Sequence, residues 1–420
     1  MRENNFKQTE IGLIPEDWEV VRLGEVAEVK AGQSAPQGEK YFQNGKYPFI
    51  RVQHIDNNDY KIMGWDLIND MAVKDYHLKL FSKGTIVFPK SGAAVYLEKR
   101  AMLPFDAYIV SHLCAVNSKS EKFLQRFLFY FLVSQKLAKK KAEGYPTLNL
   151  SEVKEILIPL LPLSEQRKIV RVLDRIQQAI ELQDRIIEQA KNLKKSLMQK
   201  LFTEGLYGEE QKETEIGLIP KSWKVVRLGD IVTKTRQKDP KRMPYLKFKY
   251  VDVSSISNEL YKIIEFREFL GKNAPSRARK EIKTGDIIFA TVRPYLKRIA
   301  IVPQELDGEL CSTAFCVLRC NMNFADHVFV FNYLLTDNFV ERVSASQRGS
   351  SYPAVTDKDV LNQKIPLPPL EEQKQIAHIL SVVDEKIEVE QMRKQVLKEL
   401  FKTMLHKLMS GEIRLKEVEI

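Results

Sequence analysis

The sequence predicts an α+β fold: two tandem-duplicated α/β modules, separated by two long antiparallel coiled-coil helices and related by pseudo-twofold symmetry. Three observations predict it. An N-terminal segment recurs in mid-chain, a proline-rich segment recurs at nearly the same offset, and a heptad-like run follows each copy of the second segment.

The repeats come first. Residues 9–26 read TEIGLIPEDWEVVRLGEV and residues 214–231 read TEIGLIPKSWKVVRLGDI, identical at 13 of 18 positions. Ile158 to Ile169 (IPLLPLSEQRKI) matches Ile365 to Ile376 (IPLPPLEEQKQI) at 8 of 12 positions, with a shift of 207. Agreement at two separated places implies duplication of the whole chain. Between these anchors weaker matches persist. PFIRVQHID (Pro48 to Asp56) pairs with PYLKFKYVD (Pro244 to Asp252), GTIVF with GDIIF, and YLEKRAMLP with YLKRIAIVP. Their alternation and their Val, Ile, Phe and Tyr content predict strands. The apolar stretches Phe123 to Leu137 and Phe329 to Val343 predict helices.

Each module then leads into a long helix. Pro159 and Pro162, or Pro366, Pro368 and Pro369, bar an earlier helix start, and Ser164 is the expected cap of the first helix. Glu165 and the pair Glu371–Glu372 suit the positive end of the helix dipole. Spacings of four and three then select a seam. In the first helix it is Ile169, Leu173, Ile176, Ile180, Gln183, Ile187, Ala190, Lys194, Leu197 and Leu201. In the second it is Ile376, Leu380, Val383, Ile387, Glu390, Lys394, Leu397, Phe401, Met404 and Leu408. No proline or glycine interrupts either run, so each helix is expected to span about 40 residues, or about 60 Å. Two equivalent seams in one chain can bury each other, and the short connection Glu204 to Lys212 predicts that the second helix runs back along the first. The polar residues in mid-seam are expected to set register. The expected boundaries are 1–160 for the first module, 161–207 for its helix, 208–367 for the second module and 368–420 for its helix.

Composition bounds the function. The chain has 420 residues, 44% hydrophobic, with a formal net charge of +11, which favours a polyanionic partner. Met1 to Glu10 has no signal-peptide core, and no apolar run approaches the roughly 20 residues that span a bilayer, so no membrane partner is expected. Four cysteines make no disulfide framework, and a cytoplasmic location is expected. Catalytic signatures are lacking: GxxxxGK[ST], HExxH, GxSxG and the Asn/Asp-Pro-Pro-aromatic tetrapeptide do not occur. Glu372-Gln373-Lys374 has the form of a nuclease ExK fragment, but such charges are ordinary in a helix first turn. Cys311, Cys316, Cys320 and His327 contain no CxxC pair, and Cys316 aligns with Cys114 inside a matched strand, so buried strand thiols are expected rather than a metal site. His54 aligns with Tyr250, which argues against acid–base or metal work there.

Polar clusters recur at equivalent places in the two modules. On the matched strand, Arg51 and Gln53 in one copy and Lys247 and Lys249 in the other form a basic, amide-bearing face. In the first module the loop candidates are Gln33 (with Lys30 and Ser34), Lys90, Ser91 and Tyr96, then Lys140 and Tyr145. In the second they are Arg236, Lys238 and Arg242, then Arg293, Tyr295 and Lys297, then Arg348, Ser350 and Tyr352. These residue types bond phosphates and base edges, so double-stranded DNA is the expected partner. Like frames with unlike loops predict two related recognition tasks with different targets.

TEIGLIPEDWEVVRLGE, its second copy and IPLPPLEEQKQIAHIL resemble the specificity subunit of Type I restriction–modification systems, over essentially the whole chain. IPLLPLSEQ departs only in having Leu161 where the second copy has Pro368. The resemblance implies two target-recognition domains that read the halves of an asymmetric bipartite site with an unspecified spacer. It also implies no catalytic site and no cofactor in this chain. The implied partners are two methyltransferase subunits, docked mainly on the long helices, and restriction/translocase subunits. Those partners would bind S-adenosylmethionine, ATP and Mg²⁺. Two other readings are a stand-alone DNA-modifying enzyme with an unfamiliar site, and a coiled-coil DNA-binding assembly protein without sequence readout.

Overall fold

The segments that repeat best along the sequence touch each other in space, which gives the duplication a physical reason. In the computed structural model, which describes residues 6–57, 59–137, 146–349 and 353–415, strand Glu19–Arg22 pairs antiparallel with Leu157–Leu160. Strand Lys224–Arg227 pairs with Lys364–Leu367 in the same way. Beside each pair a tryptophan is fully buried. Trp18 donates its indole N–H to Glu165 (3.3 Å) and Trp223 donates to Glu372 (3.0 Å). The following glutamine is a buried clip. Gln166 accepts from the Leu124 N–H and donates to the Lys122 and Leu161 carbonyls. Gln373 accepts from the Asp326 N–H and donates to the Phe324 and Pro368 carbonyls. The Glu-Gln of both proline-rich motifs is thus the joint between module and helix, and Glu372 has no role left as a nuclease carboxylate.

The first module opens with the hairpin Phe6–Thr9 and Gly12–Pro15. Its central sheet is antiparallel, in the order Ala27–Ala31, Leu113–Ser118, Ile86–Pro89, Ala101–Met102. A second sheet orders Asp66–Ile68, Tyr47–Ile50 and Tyr108–Ile109, the last pair parallel. The second module repeats the hairpin (Gln211–Thr214 and Gly217–Pro220) and the central sheet (Val232–Thr233, Phe315–Cys320, Ile287–Ala290, Ile299–Ile301). Its second sheet has four strands, Arg267–Leu270, Lys247–Val251, Leu310–Ser312 and Ala278–Glu281.

Two local expectations are corrected. The strand expected over Pro48 to Asp56 stops at Ile50, because Val52–His54 turns into a 3₁₀ helix closed by the Arg51 N–H on His54 Nδ1. The alternation of Arg51 and Gln53 on one strand face is therefore lost. The stretch Phe329 to Val343 is two helices, His327–Leu334 and Asp337–Ser344, with Thr336 capping the second; its counterpart is one helix, Gln125–Ser134. All four cysteines are buried on strands, and burial pushes the thiols of Cys114, Cys316 and Cys320 up to about 12.

The long helices run Leu163–Glu204 and Leu370–Met409. Ser164 falls inside the first turn rather than at the cap, since Pro162 already supplies the entry. The chain divides into two compact units, Met1–Leu182 with Arg393–Ile420, and Gln183–Met392. Each contains one module, the start of its own helix and the end of the other. In the first, Ile169, Leu173, Ile176 and Ile180 share a hydrophobic cluster with Leu397, Phe401, Met404 and Leu408. In the second, Leu197 and Leu201 share one with Ile376 and Leu380. Start packing on end is antiparallel pairing. The remaining apolar seam positions, Ile187, Ala190, Val383 and Ile387, are buried or half-buried. The polar ones find partners: buried Gln183 donates to Glu390, Glu390 also pairs with Lys386, and Lys194 bonds Asp384 at 2.7 Å. Matched polar contacts of this kind penalise any shifted register. No helix among the described residues is long and apolar enough to cross a membrane.

Candidate nucleic-acid interface

In each module one turn leaves the third strand of the central sheet and is clasped by three backbone hydrogen bonds. In the first module Lys90 N–H bonds the His112 carbonyl (2.9 Å), Gly92 N–H the Pro146 carbonyl (2.9 Å), and Leu148 N–H the Lys90 carbonyl (2.7 Å). The second module repeats all three: Thr291 to Ala314 (2.8 Å), Arg293 to Pro353 (2.8 Å) and Val355 to Thr291 (2.9 Å). A 3₁₀ turn follows in both, Ala93–Leu97 and Pro294–Leu296. The clasp forces left-handed backbone where the turn starts, at Gly92 (φ 82°) in one copy and Arg293 (φ 50°) in the other. Strain at a loop residue of this sort needs support from its surroundings, which the clasp supplies. Each turn presents a tyrosine to solvent, Tyr96 at 44% and Tyr295 at 50% exposure.

Around this turn the other candidates gather in the first module. Gln33 bonds through its backbone to Ile109 and Ser111, at a point where only glycine fits beside it. A Cβ on Gly32 would lie 2.2 Å from the Ile109 carbonyl oxygen. Ser91 Oγ lies 2.6 Å from His112 Nδ1. Gln33, Lys90, Ser91 and Tyr96 are thus drawn together with Ser111, His112 and Thr147, three polar residues that sequence reading passed over. The signal was present: Ser111 and His112 sit in the turn just before the matched strand that carries Cys114.

In the second module Arg236, Lys241, Arg242 and Lys247 are exposed. The turn Pro240–Arg242 packs against Gly271, whose missing Cβ lets the Pro240 and Met243 carbonyls approach. Arg348 and Ala354 exchange two 3.0 Å backbone bonds, and the Arg348 side chain is 78% exposed, 3.9 Å from Asp359. Exposed Arg277 and half-buried Arg279 join this basic surface without having been selected; Arg279 pairs with Asp239 at 3.2 Å.

Several candidates are committed to the fold instead. Arg51 pairs with Asp66 and lies over the Phe42 and Phe49 rings. The Gln33 amide oxygen accepts from the Lys79 N–H at 3.3 Å. Lys297 donates to the Leu335 carbonyl and to Asp337, whose carboxyl is held below its usual range first by that bond. Lys249 donates to the Glu305 carbonyl and covers the Phe266 ring, and Lys238 covers Phe248. Such lysines and arginines are anchors, and the exposed Gln53, Tyr96, Arg236, Arg242, Lys247, Tyr295 and Arg348 are better placed to meet a ligand. Lys140, Tyr145, Ser350 and Tyr352 lie outside the described residues.

The family described as Type I restriction modification DNA specificity domain matches residues 15–192 and, a second time, residues 220–399. The chain belongs to that family. Among relatives of the specificity domain, the type I restriction enzyme MjaVIII specificity subunit of Methanocaldococcus jannaschii is 27% identical over 431 residues, covering 99% of this chain and 98% of its own. The type I restriction enzyme EcoDI specificity subunit of Escherichia coli is 24% identical and covers 87% and 81%. The fold agrees with the solved S subunit of a type I restriction–modification system from M. genitalium, with TM-score 0.55, 18% identity and coverage of 97% and 98%. It agrees equally with a chain from a structural study of assembly and conformational transition of the type I R-M system (TM-score 0.57, 20% identity, 95% and 99% covered). Both copies of the specificity domain thus carry the clasped turn on a shared frame, and differ in the side chains around it.

Proposed function

We propose that this chain is the non-catalytic DNA-binding specificity subunit of a type I restriction–modification complex. Each module reads one half of an asymmetric bipartite site in double-stranded DNA. The observation that carries the proposal is the clasped turn. The same three hydrogen bonds hold it in both modules, while its neighbours are Ser91, His112 and Thr147 in one and Val292, Ala314, Ala354 and Arg348 in the other. One frame with two different polar surfaces suits two different half-sites. Exposed Arg and Lys supply phosphate contacts, and Arg, Gln, Ser and Tyr supply base contacts.

The long helices hold the two methyltransferase subunits in this reading and set the spacer between the half-sites. The second helix carries exposed apolar side chains, Val389, Met392 and Val396 among them, at 44–66% exposure, as a docking face does. Restriction/translocase subunits complete the assembly, and S-adenosylmethionine, ATP and Mg²⁺ belong to the partners. The test is a module swap. The chain is co-expressed with its methyltransferase partner, residues 28–145 are exchanged for those of a relative, and the methylated motif is sequenced. One half-site changes and the other stays. Change in both halves, or in neither, overturns the reading.

A further inference from the structure

The duplication provides an internal comparison at the place where each module rests on the paired helices. In the first unit that place is plugged. Arg126 donates to Asp174 at 2.7 Å, and its guanidinium lies 5.4 Å from the Phe129 ring and 5.1 Å from the Tyr130 ring. The Tyr130 hydroxyl bonds the same Asp174. Phe401 closes the top, 5.9 Å from Tyr130 and 6.1 Å from Tyr60 between ring centres. The cavity that remains is about 470 Å³.

The second unit keeps the frame and loses the plug. The matching clips, Leu124 N–H on Gln166 and Asp326 N–H on Gln373, fix the correspondence residue by residue. Phe331 matches Phe129, and the ion pair Lys61–Glu181 recurs as Lys262–Glu388. Yet Val328 stands for Arg126, Asn332 for Tyr130, Ser381 for Asp174 and Lys194 for Phe401. The cavity there is about 1390 Å³, lined by all four replacements and by Phe331. Asn332 is completely buried. Its Nδ2 donates to the Val328 carbonyl at 2.9 Å, but its Oδ1 has no partner. Since Nδ2 is already used, turning the amide over would not satisfy it. A buried acceptor left unpaired is costly, so a donor from outside the described chain would stabilise it.

We propose that this cavity is a binding site for a guanidinium-bearing ligand, which occupies the space that Arg126 and Tyr130 fill in the first unit. The first unit shows what the frame accepts: a planar cation over Phe129. In the second, a guanidinium over Phe331 gains the same attraction and donates to Asn332 Oδ1. Glu385 lines the same wall and supplies negative charge, beside Asp384, which is paired with Lys194. A neutral ring could not use that charge, and an ammonium lacks the planar fork. Two sources share this chemistry, an arginine side chain of a partner protein and a free guanidino compound.

The test is calorimetric titration of the full chain with agmatine, with putrescine as the control cation. Agmatine saturates one site, and putrescine binds about tenfold more weakly or worse, as expected for loss of a charge-assisted bond. Asn332→Leu removes the acceptor, and the triple change Val328→Arg, Asn332→Tyr, Ser381→Asp installs the first unit's plug. Both abolish binding, and the triple variant melts no lower than the wild type, which shows that it folds. Methyltransferase assembly is then measured in saturating agmatine. Competition identifies a partner's arginine as the natural occupant, and undisturbed assembly identifies a free compound. No saturable agmatine binding, or equal binding by the wild type and Asn332→Leu, overturns the proposal.

Discussion

Arg414→Ala tests how the end of the chain is fastened to its beginning. The Glu165 carboxylate is 1% exposed and accepts from Arg414 Nε at 2.7 Å and Nη2 at 2.9 Å, with Trp18 a weaker third donor at 3.3 Å. The guanidinium also grips Asp17 at 2.9 and 3.0 Å and lies 5.3 Å from the Trp18 ring centre. Removing it leaves a buried carboxylate with one indole donor. Breaking a buried pair from one side costs about 3–5 kcal/mol, and the Asp17 bond, 39% exposed on that side, adds little. The duplicate shows the alternative: Glu372 accepts from Trp223 and from the Leu206 N–H, each at 3.0 Å. Adding Glu165→Gln to Arg414→Ala should therefore recover most of the loss, because the amide drops the charge and still accepts from the indole. With two units a single unfolding free energy is ill defined, so the assay is native-state hydrogen exchange. The Leu23 amide, bonded to Ile156, reports on the first unit, and the Leu228 amide, bonded to Gln363, on the second. Opening at Leu23 should become easier by about 3 kcal/mol, on the order of a hundredfold faster exchange, with Leu228 unchanged. A loss below about 1 kcal/mol, or equal losses at both amides, refutes the account of the clasp.

Three further outcomes are expected. Tyr96→Ala and Tyr295→Ala, both at solvent-exposed sites, should leave melting unchanged and each weaken binding to a duplex carrying both half-sites by about 1–3 kcal/mol, measured at fixed salt; unaltered affinity for both would remove the turns from the interface. Gly271→Ala puts a methyl 2.2 Å from two carbonyl oxygens, so the second module should lose about 1–3 kcal/mol or more by hydrogen exchange while the first is untouched. The buried thiols set an alkaline limit. An unfolded thiol ionises near about 8.5, and the folded thiols of Cys114, Cys316 and Cys320 near about 12. Between those values the unfolded state holds fewer protons, so stability falls as pH rises from about 9 towards 12. Cys316→Ala should flatten that fall, and a thiol reagent at pH near 8 should find no reactive cysteine until denaturant is added.

The frame was legible because it is written twice and because its signals are local. Prolines mark where strands Leu157–Leu160 and Lys364–Leu367 end, and spacings of four and three mark the seam down to Gln183 and Glu390. The partner choice of single charges was not legible. Arg51 looks like a base-reading arginine in sequence, and Asp66, which captures it, lies on another strand of the sheet. Lys297 is likewise claimed by Asp337, forty positions away. Periodicity says which face a side chain takes; it does not say whether an opposite charge waits there.

The same limit explains why the unmatched loops, where we propose that recognition lies, resist reading. A framework residue is constrained by neighbours inside the chain, so the chain's own sequence contains both halves of the fit, as with Trp18 and Glu165 or Gln373 and Asp326. A recognition residue is constrained by a molecule outside the chain, and only one half of the fit is present. The duplication narrows that gap. Wherever one copy satisfies a group internally and the other leaves the equivalent group open, the difference points at something external. Tyr130, whose hydroxyl bonds Asp174, against Asn332, whose Oδ1 has no partner, is such a place. Comparing the halves of this chain therefore narrows the search for contact sites more sharply than composition or charge can.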